Sequence, residues 1–187
     1  RVSDSLYVRK IRQTVAVLDL FCDSVIWNSQ KDMVNHAYLF YKIEKAKEKL
    51  PVTIALWENG CKNLQEHYEF IKRNCKSNRM VLVLDISGIG MMEQRELQGF
   101  ARKGIFDSAG FKLHTDLLWL NDSLMGLGIY DLLRCLDAID EYSWMDERDI
   151  KVYTYGRYSA YAEIAAFLDS RIKKVESVEP LNSYRES

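Results

Sequence analysis

DIKVYTYGRYSAYAEIAAFLDSRI, residues Asp149 to Ile172, reads as a strand, an abrupt turn and a short alanine-rich helix. Ile150, Val152 and Thr154 alternate with Lys151, Tyr153 and Tyr155 at the period of a strand, and Ile164, Ala165, Phe167 and Leu168 follow at helical spacing. The turn falls at Gly156 to Ala160. Where a strand turns this sharply into a helix, the positions two before and two after the corner must be small, because the two elements close on each other there. Counting from Gly156 puts Tyr158 at the corner and Ala160 at the second small position, whereas Ser159 at the corner would put Arg157 and Tyr161 where small residues are needed. Sterics therefore favour Tyr158 at the tip. The plainer alternative is an ordinary βα connection in which Gly156 is only a turn residue.

Working back towards the N-terminus, Leu124 to Tyr142 reads as a helix that Asp122 or Ser123 can cap, with Ile129, Leu132, Leu133, Leu136 and Ile139 as its buried stripe. Asp131, Arg134 and Asp140 fall mostly outside that stripe, and Asp131 with Arg134 reads as a solvated i,i+3 pair. Val52–Trp57, VTIALW, and Met80–Leu84, MVLVL, are continuous apolar runs of the kind a strand shows when both its faces are covered. Between them Asn63 and Glu66 have capping-box spacing, and Leu64, Tyr68, Ile71 and Cys75 mark one face of a helix to about Lys76. Strand, helix, strand with short connections is a parallel crossover. His36–Ile43 reads as a further strand, Lys173–Val178 as the last one, and Tyr7–Trp27 as either a strand pair or a helix leading into a strand. Met91 to Ser123, which includes His114, Trp119 and Asp122, reads as a long irregular connection.

These residues resemble the α/β-hydrolase superfamily, and within it the acetyl-xylan-esterase-like branch. There the strand–turn–helix is a nucleophile elbow, G-x-S-x-G, followed by a small-residue helix that ends in A-A-x-L-D-x-R-I. Ala165 to Ile172 is AAFLDSRI. The preceding G-x-x-x-x-D-x-x-R-x-x-D helix is matched by Gly126, Asp131, Arg134 and Asp137, and the D-x-x-R-I strand entry by Asp146 to Ile150 with one residue more. The resemblance runs from about Leu50 to the end. It implies a three-layer α/β sandwich with a mostly parallel central sheet, in one domain: residues 1–50 antiparallel or irregular, 51–187 the parallel βα core. It also implies that the chain stops before the fold's C-terminal strands, so that one sheet edge is covered by residues beyond Ser187 or by another chain.

In such hydrolases the loop after the first buried strand gives an oxyanion N–H, a place held here by Glu58, Asn59 and Gly60 without the usual H-G-G letters. DISGIG, Asp85 to Gly90, stands where the family carries D-x-R-G-x-G, with Ser87 in place of the arginine. A dinucleotide loop would need a glycine where Glu93 stands. The family's order is nucleophile, acid, histidine, but His36, His67 and His114 all precede the elbow. The resemblance therefore implies the scaffold of an esterase without its working parts: Tyr158 at the corner position, and Asn59, Gly60, Tyr158 and Ser159 around the pocket. Two functions are open. One is a non-catalytic domain binding a small ester or carbohydrate, within a larger carbohydrate-related protein. The other is an acetyl-ester hydrolase with Ser159 as a displaced nucleophile and its acid and histidine supplied from outside this chain.

The composition suits one sizeable core, with 187 residues, 48% hydrophobic and 28% charged. A net charge of −1 and a pI near 6.4 give no basic field for nucleic acid or an anionic membrane, and no apolar run is long enough to span one. Cys22, Cys61, Cys75 and Cys135 lack C-x-x-C spacing, which argues against a zinc site or a thioredoxin-like redox pair; no metal or other cofactor is expected.

Overall fold

The computed structural model describes residues 5–16, 20–46, 48–93, 109–142 and 145–181. Seven strands form one mixed sheet in the order β1-β2-β3-β5-β4-β6-β7. Their spans are β1 Arg9–Ala16, β2 Leu20–Gln30, β3 Met33–Lys42, β4 Leu50–Leu56, β5 Met80–Asp85, β6 Met145–Tyr155 and β7 Ile172–Val178. The helices are α1 Tyr68–Lys76, α2 Ala109–Trp119, α3 Leu124–Glu141 and α4 Tyr158–Leu168. β1, β2 and β3 make an antiparallel meander, and β3 is antiparallel to β5. From β5 onward every pairing is parallel. The N-terminal stretch is thus the strand pair of the two readings it allowed.

The apolar runs behave as their composition demands. All of β5 is buried, and in β4 only Pro51 is partly exposed. Alternate residues of β4 go to opposite faces: Val52, Ile54 and Leu56 join one core cluster with α3 and α4, while Ala55 and Trp57 join another with Ile71 and Cys75 of α1. Helices therefore cover both faces, which makes three layers. Each fully buried aliphatic chain contributes about 1.5–3 kcal/mol relative to exposure.

Four elements differ from their reading in the sequence. α1 begins only at Tyr68, because Asn59 takes a left-handed conformation, a 3-10 turn follows over Gly60–Lys62, and Asn63 spends its side chain on Glu66 at 2.9 Å instead of capping a helix. The Met91–Ser123 connection contains α2; its residues 94–108 lie outside the described residues. On α4 it is Tyr158, Ser159, Ala162 and Ala165 that are buried, whereas Ile164, Phe167 and Leu168 are 40, 90 and 60% exposed. Small side chains let α4 lie close to α3, where a β-carbon on Gly128 would come within 2.7 Å of the Tyr161 ring. Finally, Asp131 is no solvated helix residue. It is fully buried and accepts the Ser87 N–H at 2.7 Å, while Arg134 donates to the Ser29 carbonyl at 2.8 Å and to Asp137 at 2.7 Å.

The residues that carry the family resemblance turn out to be clamps. Arg171 donates to Asp137 and to Asp169, both at 2.7 Å, and also to Asp140, which ties the end of α3 to the entrance of β7. The planar guanidinium can serve several carboxylates at once, which an ammonium cannot. Arg171→Ala is expected to lower stability by about 2 kcal/mol, and Arg171→Lys to recover less than half of that. Urea unfolding at constant slope measures both.

Candidate functional site

The carboxyl ends of β4, β5 and β6 bring three loops together. In the connection from β6 to α4 the residue in the left-handed region is Gly156, at φ 64°; Arg157 is already helical and Tyr158 is the first residue of α4. The corner thus lies two residues earlier than the sequence count suggests. In G-x-S-x-G it is the nucleophile that holds the strained corner conformation, and here that conformation falls on a residue with no side chain. Glycine is the residue for which it carries no steric penalty. The turn is pinned from β7, since Gly156 donates its N–H to the Val178 carbonyl at 2.9 Å.

Tyr158 and Ser159 both lie in the first turn of α4, at 1 and 2% exposure. The Ser159 hydroxyl accepts the Leu181 N–H at 3.2 Å, so it secures the segment that leaves β7. The Tyr158 hydroxyl donates to Glu58 at 3.2 Å, and Arg157 donates to the other oxygen of Glu58 at 2.9 Å. Glu58 is turned towards the elbow, and its charge is met by the Arg157 guanidinium, which also lies 5.3 Å from the centre of the Tyr158 ring. Both charged groups are 59% exposed, so solvent screens the pair and it contributes at most about 1 kcal/mol. Burial pushes the Tyr158 phenol up to about 12, with Arg157 opposing. Such a phenol holds only roughly 1 part in 10⁵ phenolate at neutral pH.

In the expected pocket loop Gly60 is buried and Asn59 is exposed. Gly60 donates its N–H to the Trp57 carbonyl at 3.1 Å, and the next N–H, that of Cys61, goes to Asp85 at 2.7 Å. The Asn59 carbonyl accepts the Lys62 N–H at 2.9 Å. The three histidines are placed separately. His67 stacks on Trp57 with ring centres 4.0 Å apart, its pKa lowered by burial; His114 lies on α2; His36 is on β3 against Asp85.

Asp85 is the group the sequence reading passed over. It is fully buried at the end of β5 and accepts from Cys61 N–H at 2.7 Å, Met91 N–H at 3.1 Å and His36 Nδ1 at 2.9 Å. A β-carbon on either Gly60 or Gly90 would fall 2.0 Å from its Oδ1. The available signal was an aspartate closing an apolar strand, with glycines in the loops on either side. His36, Cys61 and Asp85 place one ligand atom each within 4.8 Å of one another. Both Asp85 oxygens are nevertheless engaged. The Cys61 thiol donates to the Val83 carbonyl at 3.3 Å, and burial, then the charge of Asp85, push its pKa well above the ordinary value. The cluster holds two loops together.

No family model matches the chain, and no curated protein matches it either. Solved structures do. Acetyl xylan esterase 1 from Thermoanaerobacterium sp. superposes with a TM-score of 0.69 at 15% identity, over 98% of this chain and 56% of that one. The chain shares with it an α/β-hydrolase-like fold. An acetyl xylan esterase from Paenibacillus sp. R4 gives a TM-score of 0.64 at 17% identity, over 98% of this chain and 56% of the other. A glucuronoyl esterase from Solibacter usitatus gives 0.61 at 12% identity, over 91 and 50%. The chain spans about half the length of these esterases.

Two outcomes test the loop geometry. Gly90→Ala is expected to cost at least about 2 kcal/mol, because left-handed strain adds to the clash with Asp85; Gly88→Ala, at φ 84° with nothing within 4 Å, costs about 1 kcal/mol from strain alone. Thermal melts of the two variants compare them. The second concerns Asp131, whose carboxyl is pushed up by burial with the Ser87 N–H opposing. A raised folded-state pKa means that stability is fully present at low pH and is lost as pH rises through the shifted value. Wild-type protein should therefore lose stability relative to Asp131→Asn as pH climbs from 3.8, the ordinary aspartate value, to the raised one, and run parallel to it beyond. Denaturant titrations across that window measure the difference.

Proposed function

We propose that the chain is a degenerate α/β-hydrolase-like domain whose elbow binds a ligand instead of turning over an ester, and that it serves within a larger carbohydrate-related protein. The observation that carries this reading is the glycine at the corner, where an esterase presents its nucleophile. The surroundings support it. Ser159 is spent on Leu181, the loop N–H groups of Gly60 and Cys61 are bonded internally, and Glu58 with Arg157 lies across the elbow.

The ligand class follows from the groove beside that ion pair. A cavity of about 370 Å³ is lined by Glu58, Asn63, Glu66, His67 and Tyr155 and by Phe70 and Tyr153, whose rings stack at 3.8 Å. Aromatic rings next to carboxylate acceptors suit a sugar ring, with its apolar faces and hydroxyl donors. The solved relatives are named for acetyl xylan and glucuronoyl esters, so an acetylated xylo-oligosaccharide is the ligand to offer.

Calorimetry with that oligosaccharide is expected to show saturable binding that Tyr155→Ala weakens about tenfold, while acetate release stays at the level of buffer. Absence of binding would remove the ligand assignment. Sustained acetate release that disappears in Ser159→Ala would replace the whole reading with a hydrolase that uses a displaced nucleophile.

A further inference from the structure

Three adjacent strands place a serine, a histidine and an aspartate in line on one face of the sheet. His36 of β3 stands directly opposite Asp85 of β5, and Ser24 of β2 is opposite Tyr38, two residues along from His36 and therefore on the same face. The Asp85 carboxylate lies 2.9 Å from His36 Nδ1, and His36 Nε2 lies 3.0 Å from the Ser24 hydroxyl oxygen. Asp85 accepts from two backbone N–H groups as well, so it presents an acceptor to the ring and fixes the proton on Nδ1. Nε2 is left with a lone pair aimed at the Ser24 hydroxyl. A Ser-His-Asp triad is recognised by this geometry and not by the order of its members in the chain.

The other neighbours suit the same chemistry. Arg12 of β1, which is exposed, stands directly opposite Ser24, and its charge reaches Tyr38 on the far side of β2. A cation there meets an oxyanion formed at Ser24. Ser24 itself is half-buried. The adjacent thiols do not compete for an electrophile, since burial pushes Cys22 up to about 12 and Cys61 well above its ordinary value.

We propose that Ser24 is an activated nucleophile that accepts the acyl group of a small activated ester, with His36 as general base, Asp85 as positioning residue and Arg12 beside the developing oxyanion. The Ser24 oxygen bonds to the carbonyl carbon while its proton passes to His36 Nε2, and the carbonyl electron pair moves onto the oxygen next to Arg12. The carbonyl re-forms, the carbon–oxygen bond to the alcohol breaks, and the departing alkoxide takes the proton back from His36. Acyl-Ser24 and a neutral alcohol remain. This site shares no residue with the elbow and stands or falls separately from the ligand-binding reading.

Diisopropyl fluorophosphate probes the nucleophile directly: a phosphorus–oxygen bond forms, fluoride leaves and the proton goes to His36. Intact mass and peptide mapping are expected to find one adduct, on Ser24, and none in Ser24→Ala. His36→Ala should slow labelling about 100-fold, with free imidazole restoring much of the rate, which a purely structural histidine would not allow. Arg12→Ala, a change at an exposed position, should slow it at least tenfold with an unchanged melting temperature. No adduct, an adduct confined to other residues, or unslowed labelling in Arg12→Ala or in folded His36→Ala would overturn the proposal.

Discussion

One buried carboxylate organises the functional end of this molecule. Asp85 gathers the loop after β4 through the Cys61 N–H, the loop after β5 through the Met91 N–H, and the meander through His36. A buried carboxylate is tolerated only when its lone pairs are filled, so the same demand fixes the course of both loops. It also explains why Gly60 and Gly90 carry no side chain, as each backbone has to pass where a β-carbon would meet the acid. The inward course of the Cys61 and Met91 N–H groups follows directly from that demand.

The division of the sheet follows from its pairing. Three antiparallel strands fall on one side of β5 and three parallel ones on the other. The parallel half needs helical crossovers, which bring helices to both faces, whereas the meander leaves Ser24 and its neighbours at a half-open surface. One fold therefore carries two chemically different margins: an elbow guarded by a solvent-screened ion pair, and a strand face with a hydrogen-bonded relay.

Much of the architecture was legible because it rests on burial. VTIALW and MVLVL have no polar face to offer water, so they could only be central strands. The stripe of α3 was equally plain, and of the two caps the sequence allowed, Asp122 and Ser123, it is Ser123 that accepts the Gly126 N–H at 2.9 Å. Features that rest on backbone conformation or on distant polar partners were less visible. The start of α1 depends on the left-handed Asn59, and the corner of the elbow on which residue takes positive φ, neither of which hydrophobic periodicity reports. Asp131 has the spacing of an outward-facing residue, and its partner lies 44 positions away in the chain. Ser24, His36 and Asp85 come from three strands, so only the register brings them together.

The space in front of Gly156 is vacant: a β-carbon there would meet nothing within 4 Å. A serine installed there would be admitted at the cost of left-handed strain alone, about 1 kcal/mol, next in the chain to Arg157, whose guanidinium is paired with Glu58. The backbone of this bend would thus tolerate a nucleophile at little steric expense, and the polar groups placed around it, not its conformation, would decide whether that nucleophile reacted.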